Sequence, residues 1–323
     1  MDPSSPEPWL FQPPAAASAA WPDDPLPRAR PARRIPDHPL ISALFAALMA
    51  AGPSAAACGW RGVGSGARNL QRNGAWRTEI CLEAGAQDDA WRALASISPL
   101  SLDLLAILLS RPDDGAQHGG VRLIRTTEVL EEKGCRRFGD ERLALQRQLA
   151  AEVQALRRLT AEPGGPLLFN LTPLESSEVA FLYEPGPWLE ALFREGSTRA
   201  LPSRVFRFDH RANRGADVLA KKLAISLTLS LGEHAAAAPR SVRSLLQQVG
   251  LAPTGLATRQ GRGGRLADRF DEALLRLQEH GLFQVRYRGA DPERTKGWVR
   301  RWLASHVVIT RLEGFMDGPQ PGR

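Results

Sequence analysis

Arginines near the carboxyl end are the residues whose type and spacing point most clearly to chemistry. Residues 201–323 contain 21 lysines and arginines against 11 aspartates and glutamates, whereas residues 1–200 contain 21 against 24. A GC-rich coding sequence would raise the arginine content throughout, so it does not explain this asymmetry. Guanidinium groups form paired hydrogen bonds with phosphate and with guanine. The charge distribution therefore favours a polyanionic partner, and we expect double-stranded DNA.

A helix-turn-helix order explains where these cations lie. The sequence predicts a short helix over 241–249, a Gly- and Arg-rich connection over 258–264, and a longer helix over 265–280 with an apolar stripe. In such a motif the last helix enters the major groove and the shorter helix braces it. The candidate DNA-binding residues lie on or beside these elements: Arg240, Arg243, Arg259, Arg262, Arg265, Arg269, Arg276, Arg286, Arg288, Arg294 and Lys296.

Two predicted strands, over 282–288 and 306–310, follow the longer helix and would form a hairpin, or wing. Alternation along the first strand places Arg286 and Arg288 on one face, away from Tyr287. A basic wing can contact a neighbouring phosphate backbone, and such contacts are the main source of affinity for DNA. We therefore expect the helix and the hairpin to present their cations on a single face.

Residues 97–200 repeat this order, but acidic residues interleave with their arginines. A dimerisation or architectural role therefore stays open for this half beside DNA contact. The predicted elements are an apolar helix over 101–110 capped by Ser98 or Ser101, a strand over 121–124, a short helix over 127–133 capped by Thr126 or Thr127, a long helix over 140–160, and strands over 167–171 and 178–183.

The predicted fold is α+β, mainly α, with two tandem winged-helix-like domains after a disordered N-terminal arm. The arm spans 1–38, an N-terminal extension 39–96, the first winged-helix-like domain 97–200, and the second, basic domain 201–323. Within the extension we predict a helix over 39–51, a loop over 52–68 and a strand over 76–82. A further strand is predicted over 204–208 and a helix over 216–231.

The sequence resembles the tandem winged-helix initiator proteins of plasmid replication over about residues 97–312. The resemblance rests on the repeated order and on three segments: VLAKKLAISLTLSL from Val218, SVRSLLQQVG from Ser241, and LADRFDEALLRLQEHGLF from Leu266. It implies sequence-specific binding to repeated sequences at a replication origin. It also implies a homodimeric form and contacts with host replication proteins.

Common enzyme signatures are missing from the sequence. There is no GxxxxGK[ST] phosphate loop, no GxSxG elbow and no HExxH metal motif. Strand nicking would need a His-x-His pair, which the six histidines never form, and Tyr183 and Tyr287 fall in predicted strands. Cys58, Cys81 and Cys135 are too widely spaced for a CxxC metal site. We therefore expect a non-enzymatic protein with no catalytic residues, no metal site and no cofactor.

The chain begins with Met-Asp-Pro-Ser, without the basic and apolar regions of a secretion signal. Its most apolar run, residues 41–51, is too short to cross a bilayer. We therefore expect a cytoplasmic protein with no membrane partner. Two alternative functions remain open, namely a winged-helix transcription regulator and a non-enzymatic scaffold whose winged-helix domains bind other proteins.

Overall fold

Helices and short strands alternate along the whole described chain. The computed structural model describes residues 32–73, 76–110, 120–135, 140–174, 180–195, 197–208, 214–231, 239–251, 262–288 and 294–312. Up to residue 201 the elements are β1 (Arg33–Pro36), α1 (Pro39–Met49), a 3-10 helix (Ala55–Cys58), β2 (Trp60–Val63), β3 (Gly66–Asn73), β4 (Trp76–Leu82), α2 (Gln87–Ser96), α3 (Pro99–Leu108), β5 (Arg122–Arg125), α4 (Thr126–Glu132), α5 (Asp140–Arg157), β6 (Leu159–Glu162), β7 (Gly165–Pro166), β8 (Leu168–Leu174), β9 (Ala180–Pro185), α6 (Pro187–Glu195) and β10 (Thr198–Leu201). Thereafter they are a second 3-10 helix (Ser203–Arg207), α7 (Arg214–Ser230), β11 (Pro239–Ser241), α8 (Val242–Gln248), α9 (Arg262–Glu279), β12 (Phe283–Arg288), α10 (Trp298–Ala304) and β13 (His306–Arg311).

Both halves contain a helix, a short strand, two further helices and a final strand pair. In the first half these are α3, β5, α4, α5, β8 and β9, and in the second they are α7, β11, α8, α9, β12 and β13. The sheet orders also correspond, β5-β9-β8 and β11-β13-β12, with every neighbouring pair antiparallel. The predicted succession of helices and final strands is confirmed in both halves, but β6 and β7 precede the final strands of the first half, and β11 and α10 are additions in the second. The protein is a mixed α+β structure.

A five-stranded sheet, ordered β2-β3-β4-β6-β7, combines three strands of the N-terminal extension with β6 and β7 from the first half. The predicted loop over 52–68 is wrong, because this stretch contains a 3-10 helix, β2 and the start of β3. Arginines and glycines on the outward side of β2 and β3 conceal the apolar alternation by which a strand is recognised. The strand predicted over 76–82 is confirmed as β4.

Three other expectations are corrected. Residues 33–36 of the predicted arm form β1, which pairs with β10 while Arg33 bonds to the carboxylates of Glu128 and Glu132. The strand predicted over 204–208 is a 3-10 helix instead. Neither Thr126 nor Thr127 caps α4, because the N-cap position falls on residue 125. Each error concerns a short segment whose conformation depends on distant contacts.

Helix α1 lies between the two halves, and its carboxyl end is held by groups from both. The indole Nε1 of Trp60 donates to the carbonyl oxygen of Ala47 at 3.2 Å. From α7, the Nζ of Lys222 donates to the carbonyl oxygen of Met49 at 2.5 Å. Burial lowers the pKa of Lys222 to about 8. Lys222 thereby satisfies a carbonyl group at the helix end, where intrahelical partners run out, whereas the carbonyl of Ala47 also accepts from the backbone N–H of Ala50 at 3.1 Å.

A buried cluster of three charges joins α3, α4 and α7. One carboxylate oxygen of Asp103 accepts a hydrogen bond from Lys133 Nζ at 3.1 Å and also forms an ion pair with Lys221. The side chains of Asp103 and Lys221 are 1% and 0% exposed. Burial lowers the pKa of Lys221 to about 7, although Asp103 opposes this shift. One carboxylate therefore serves two ammonium groups from different parts of the chain.

The free energy of unfolding should rise with pH between about pH 7 and pH 10.5 through Lys221. Folding lowers the pKa of this lysine from 10.5 to about 7, so in that window the unfolded chain binds more protons than the folded one. Urea unfolding of the wild type and of Lys221→Met should show a steeper rise for the wild type. Parallel pH profiles for the two proteins would contradict this expectation.

Two arginines cap the carboxyl end of α7. Arg199 donates to the carbonyl oxygen of Thr228 at 3.2 Å, and Arg311 donates to that of Leu231 at 2.7 Å. Cations at this end also interact favourably with the helix dipole.

Within the described chain no single helix is long and apolar enough to span a membrane. Helices α2 and α3, which are bent by 90° relative to each other, reach the necessary length and apolar composition only when they are taken together.

Candidate nucleic-acid interface

The β12–β13 hairpin presents one polar face and one packed face, as the sequence predicts. Gln284, Arg286 and Arg288 are exposed, while the residues between them turn towards the protein. On the packed face, the hydroxyl of Tyr287 donates to Asp271 of α9 at 2.6 Å and accepts from the indole of Trp302 at 3.3 Å. These bonds attach the hairpin to α9 and to α10.

The polar face of the hairpin is therefore turned away from α9. Arg286 lies opposite Val308 and Arg288 opposite His306, so these side chains share the outer surface. The expectation that helix and hairpin present all their cations on a single face is wrong for this pair, because Tyr287 must face α9 and strand neighbours alternate. The hairpin and the helix instead form two adjoining basic surfaces.

The start of α9 forms the second of these surfaces. Arg265 is exposed, and Asp268, one turn later on the same side, forms an ion pair with Arg294. The guanidinium of Arg294 also lies 5.1 Å from the ring centre of Trp298 on α10. The segment that joins the two strands of the hairpin therefore lies beside the first turns of α9. Arg265 and Arg294 are placed on the same side of the protein.

Close packing of α10 explains one of the two glycines at the start of α9. A Cβ atom at Gly263 would lie 2.6 Å from a methyl carbon of Val299. A Cβ at Gly264 would lie 3.9 Å from the ring of Trp298. Gly263 is explained by contact with Val299, so at least one glycine has a packing reason.

Arg276 is occupied by intramolecular partners. Its guanidinium lies 2.7 Å from Glu279, 3.6 Å from Glu272 and 3.6 Å from Asp217 on α7. The hydrogen bond that it donates to Glu279 is the main cause that raises the pKa of Arg276. The structure therefore places this arginine in a bridge between α7 and α9, and we remove it from the proposed DNA contacts.

Arg240 and Arg269 are half-buried. Arg240 donates to Ser230 Oγ at 3.0 Å and to Gln248 Oε1 at 3.3 Å, and burial lowers its pKa. The guanidinium of Arg269 covers Gly215 at the start of α7, where a Cβ would approach its Nε to 2.3 Å. Both side chains contribute to packing, and each retains only part of its surface for a ligand.

Of the remaining candidates, two are exposed, one begins a helix and one lies outside the described residues. Arg243 is exposed on α8, and Lys296 is exposed in the turn before α10. Arg301, absent from the predicted set, fixes that turn by donating to the carbonyl oxygen of Lys296 at 3.2 Å. Arg262 begins α9, whereas Arg259 lies outside the described residues. Exposed cations thus remain on α8, at the start of α9, and on the hairpin.

The described residues contain no group of three or more His, Cys, Asp or Glu side chains that could hold a metal ion. Helix α9 carries four arginines and four carboxylates. Its first eight residues contain three of the arginines and only one carboxylate, Asp268. The helix is therefore positive at its amino end and acidic towards its carboxyl end. Reading helices contact base edges with their amino-terminal residues.

Comparisons with known proteins identify no family. No family model matches the sequence, and no curated protein matches it. The chain is similar to a selenomethionine crystal structure of domains 2 and 3 of RctB, with a TM-score of 0.44, 10% identity, and coverage of 77% of this chain and 91% of that chain. A second structure of these RctB domains gives a TM-score of 0.42 and 12% identity over the same shares.

Proposed function

We propose that the protein is a non-enzymatic, sequence-specific binder of double-stranded DNA. In this proposal each half is a winged-helix domain, α9 is the reading helix of the second, and the β12–β13 hairpin is its wing. The carrying observation is the amino end of α9, where three of the first eight residues are arginines and Arg265 is exposed, beside the segment that holds Arg294 and Lys296. A helix of this kind fits the major groove, and the adjoining cations reach phosphates.

The contacts divide into two classes under this proposal. Arg265 is near the amino end of α9, so it contacts base edges or the phosphates that flank them. Arg243, Arg286, Arg288 and Lys296 are exposed on surrounding elements and contact phosphates alone. Phosphate contacts position the protein, whereas base contacts give sequence preference.

The biological role that we propose is replication initiation at a plasmid origin. This step rests on the resemblance to tandem winged-helix initiators and on the repeated element order of the two halves. A transcription regulator would use the same interface. A nuclease footprint separates the two, because an initiator protects repeated sequences at an origin and a regulator protects a promoter.

Replacing Arg243 and Arg265 by alanine should weaken duplex binding and flatten its salt dependence. Each lost phosphate contact lowers the slope of log affinity against log salt by about one, so the double variant should lose about one through Arg243 and up to about one more through Arg265. The matched control is Arg92→Ala with Arg194→Ala, which removes the same charge from arginines paired with Asp89 and Glu190. Fluorescence anisotropy with a labelled duplex between about 50 and 200 mM salt measures both slopes.

Equal slopes for the wild type and the Arg243/Arg265 variant would remove these residues from the interface. Equal losses in this variant and in the control would mean that only net charge matters. Absence of duplex binding by the wild type at low salt would refute the proposed function and would favour the protein-binding scaffold.

A further inference from the structure

The outward face of the five-stranded sheet carries four arginines outside the proposed interface. Alternation along β2, β3 and β4 places Arg61, Arg68, Arg72 and Arg77 on the same side. All four side chains are exposed. We call this surface the arginine face. It lies in the N-terminal extension, for which the sequence indicates no role.

The strand register sets these arginines against one another. Arg61 lies directly opposite Arg68, and Arg72 lies directly opposite Arg77. Like charges at opposed positions destabilise a sheet, because their side chains are only about 5 Å apart at Cβ. Glu79 partly neutralises Arg68 at 3.5 Å. Across the described residues, no carboxylate pairs with Arg61, Arg72 or Arg77, so the repulsion between Arg72 and Arg77 has no internal compensation.

The arginine face is also uncovered by the described helices. Helices α1 and α2 pack on the other side of the sheet, where Trp60 bonds to Ala47 and Gln87 contacts Gly62. Leu70, between the arginines, is 40% exposed. Arg68 and Arg72, the members of the two opposed pairs on β3, are four residues apart, a distance of about 14 Å. A duplex carries several phosphate charges over that length. An open surface of this size and charge suits a polyanion.

The composition of the face favours the phosphate backbone of a duplex over a single strand. Binding of single strands uses aromatic side chains on which bases stack. The described part of the arginine face contains no exposed aromatic residue, and the exposed Trp76 has the opposite strand parity and contacts the ring of His38. Glu79 and Glu162 share the face, which leaves two positive charges in excess.

The other side of the sheet faces α1 and the second half. Gln71 and Thr78, which have the opposite strand parity, line a cavity of about 360 Å³ whose other walls include Met49 of α1 and Gln247 and Gly250 at the end of α8. The arginine face therefore points away from the contact with α1 and α8 and leaves its cations open to an external partner.

We propose that the arginine face binds the phosphate backbone of duplex DNA. This inference rests on the proposed function and extends the footprint beyond the reading helix and its hairpin. The Arg72–Arg77 pair is the part that requires an external anion most, since no described carboxylate offsets it.

The test is the double variant Arg72→Ala/Arg77→Ala in the full chain, compared with Arg92→Ala/Arg194→Ala and with Arg243→Ala/Arg265→Ala. Anisotropy of a labelled duplex is measured against salt, with a single strand of the same length in parallel, and urea unfolding is recorded for each protein. For the Arg72/Arg77 variant, we expect the slope of log duplex affinity against log salt to fall by about two. Its unfolding midpoint should stay unchanged or rise, because a repulsive pair is removed.

Several outcomes would overturn the inference. An unchanged duplex slope, or a loss equal to that of the Arg92/Arg194 control, would exclude a phosphate contact on this face. A lowered unfolding midpoint would show that the pair stabilises the sheet. A loss confined to the single strand would exclude the duplex as partner. If the Arg243/Arg265 variant alone loses affinity, the proposed function stands and this inference fails, whereas a wild type without duplex affinity refutes both.

Discussion

Replacing Asp103 by alanine should lower the free energy of unfolding by about 3–5 kcal/mol at pH 7. Its carboxylate is the shared partner of Lys133 and Lys221, and the side chain of Lys221 is completely buried. Removing the acid leaves the ammonium group of Lys133 inside the protein without this counter-charge, and it lowers the pKa of Lys221 further, because Asp103 raises that pKa. A buried charge without a partner is costly. Equilibrium unfolding in urea, followed by circular dichroism, measures the loss.

The control for this variant is Lys221→Met, which removes one ammonium group and leaves Lys133 paired with Asp103. Replacing a buried ion by an apolar side chain of similar size is often neutral or stabilising, so its effect should be much smaller. The loss in Asp103→Ala should also shrink slightly at pH 9, because Lys221 of the folded wild type, with a pKa of about 7, is then neutral and no longer forms the ion pair that the substitution removes. Equal losses in the two variants would contradict a shared carboxylate.

This cluster also shows what the sequence could not predict. The apolar spacing of Leu219, Leu223 and Leu227 correctly predicts the helix α7. The same pattern gives no sign that Lys221 is buried, because its partner lies more than a hundred residues away. Periodicity reports which face of an element is apolar, whereas it says nothing about which other element covers that face.

For the candidate interface, too, the sequence predicts which side chains are exposed along an element but not their contacts with distant residues. Alternation places Arg286 and Arg288 on the exposed side of β12, as the structure confirms. The partners of Arg276 include Asp217, on a different helix, and no local pattern could have paired them. The arginine face escaped prediction because its outward arginines made β2 and the start of β3 look like a loop. The opposition of Arg72 and Arg77 can be recognised only when the pairing of β3 with β4 is known.

Replacing Gly250 by alanine should destabilise the protein by about 2–5 kcal/mol, because it combines backbone strain with a steric clash. Gly250 follows α8 with a φ of +77°, a region that L-residues occupy at a cost. A Cβ atom there would lie 2.6 Å from the carbonyl oxygen of Met49 and 2.6 Å from Cα of Ala50. These are backbone atoms at the end of α1, so no side-chain rotation relieves the contact.

Gly134 provides a matched control, since it has the same φ of +77° and a Cβ atom there would meet no described atom within 4 Å. Gly134→Ala should therefore cost only the backbone strain, about 1–2 kcal/mol. The additional loss in Gly250→Ala measures how tightly the end of α8 is seated on α1. If the two substitutions were equally costly in urea unfolding, the contact between α8 and α1 would contribute nothing to stability. A larger loss at Gly250 would instead establish that the end of α8 is held against the helix that also supports the arginine-bearing sheet.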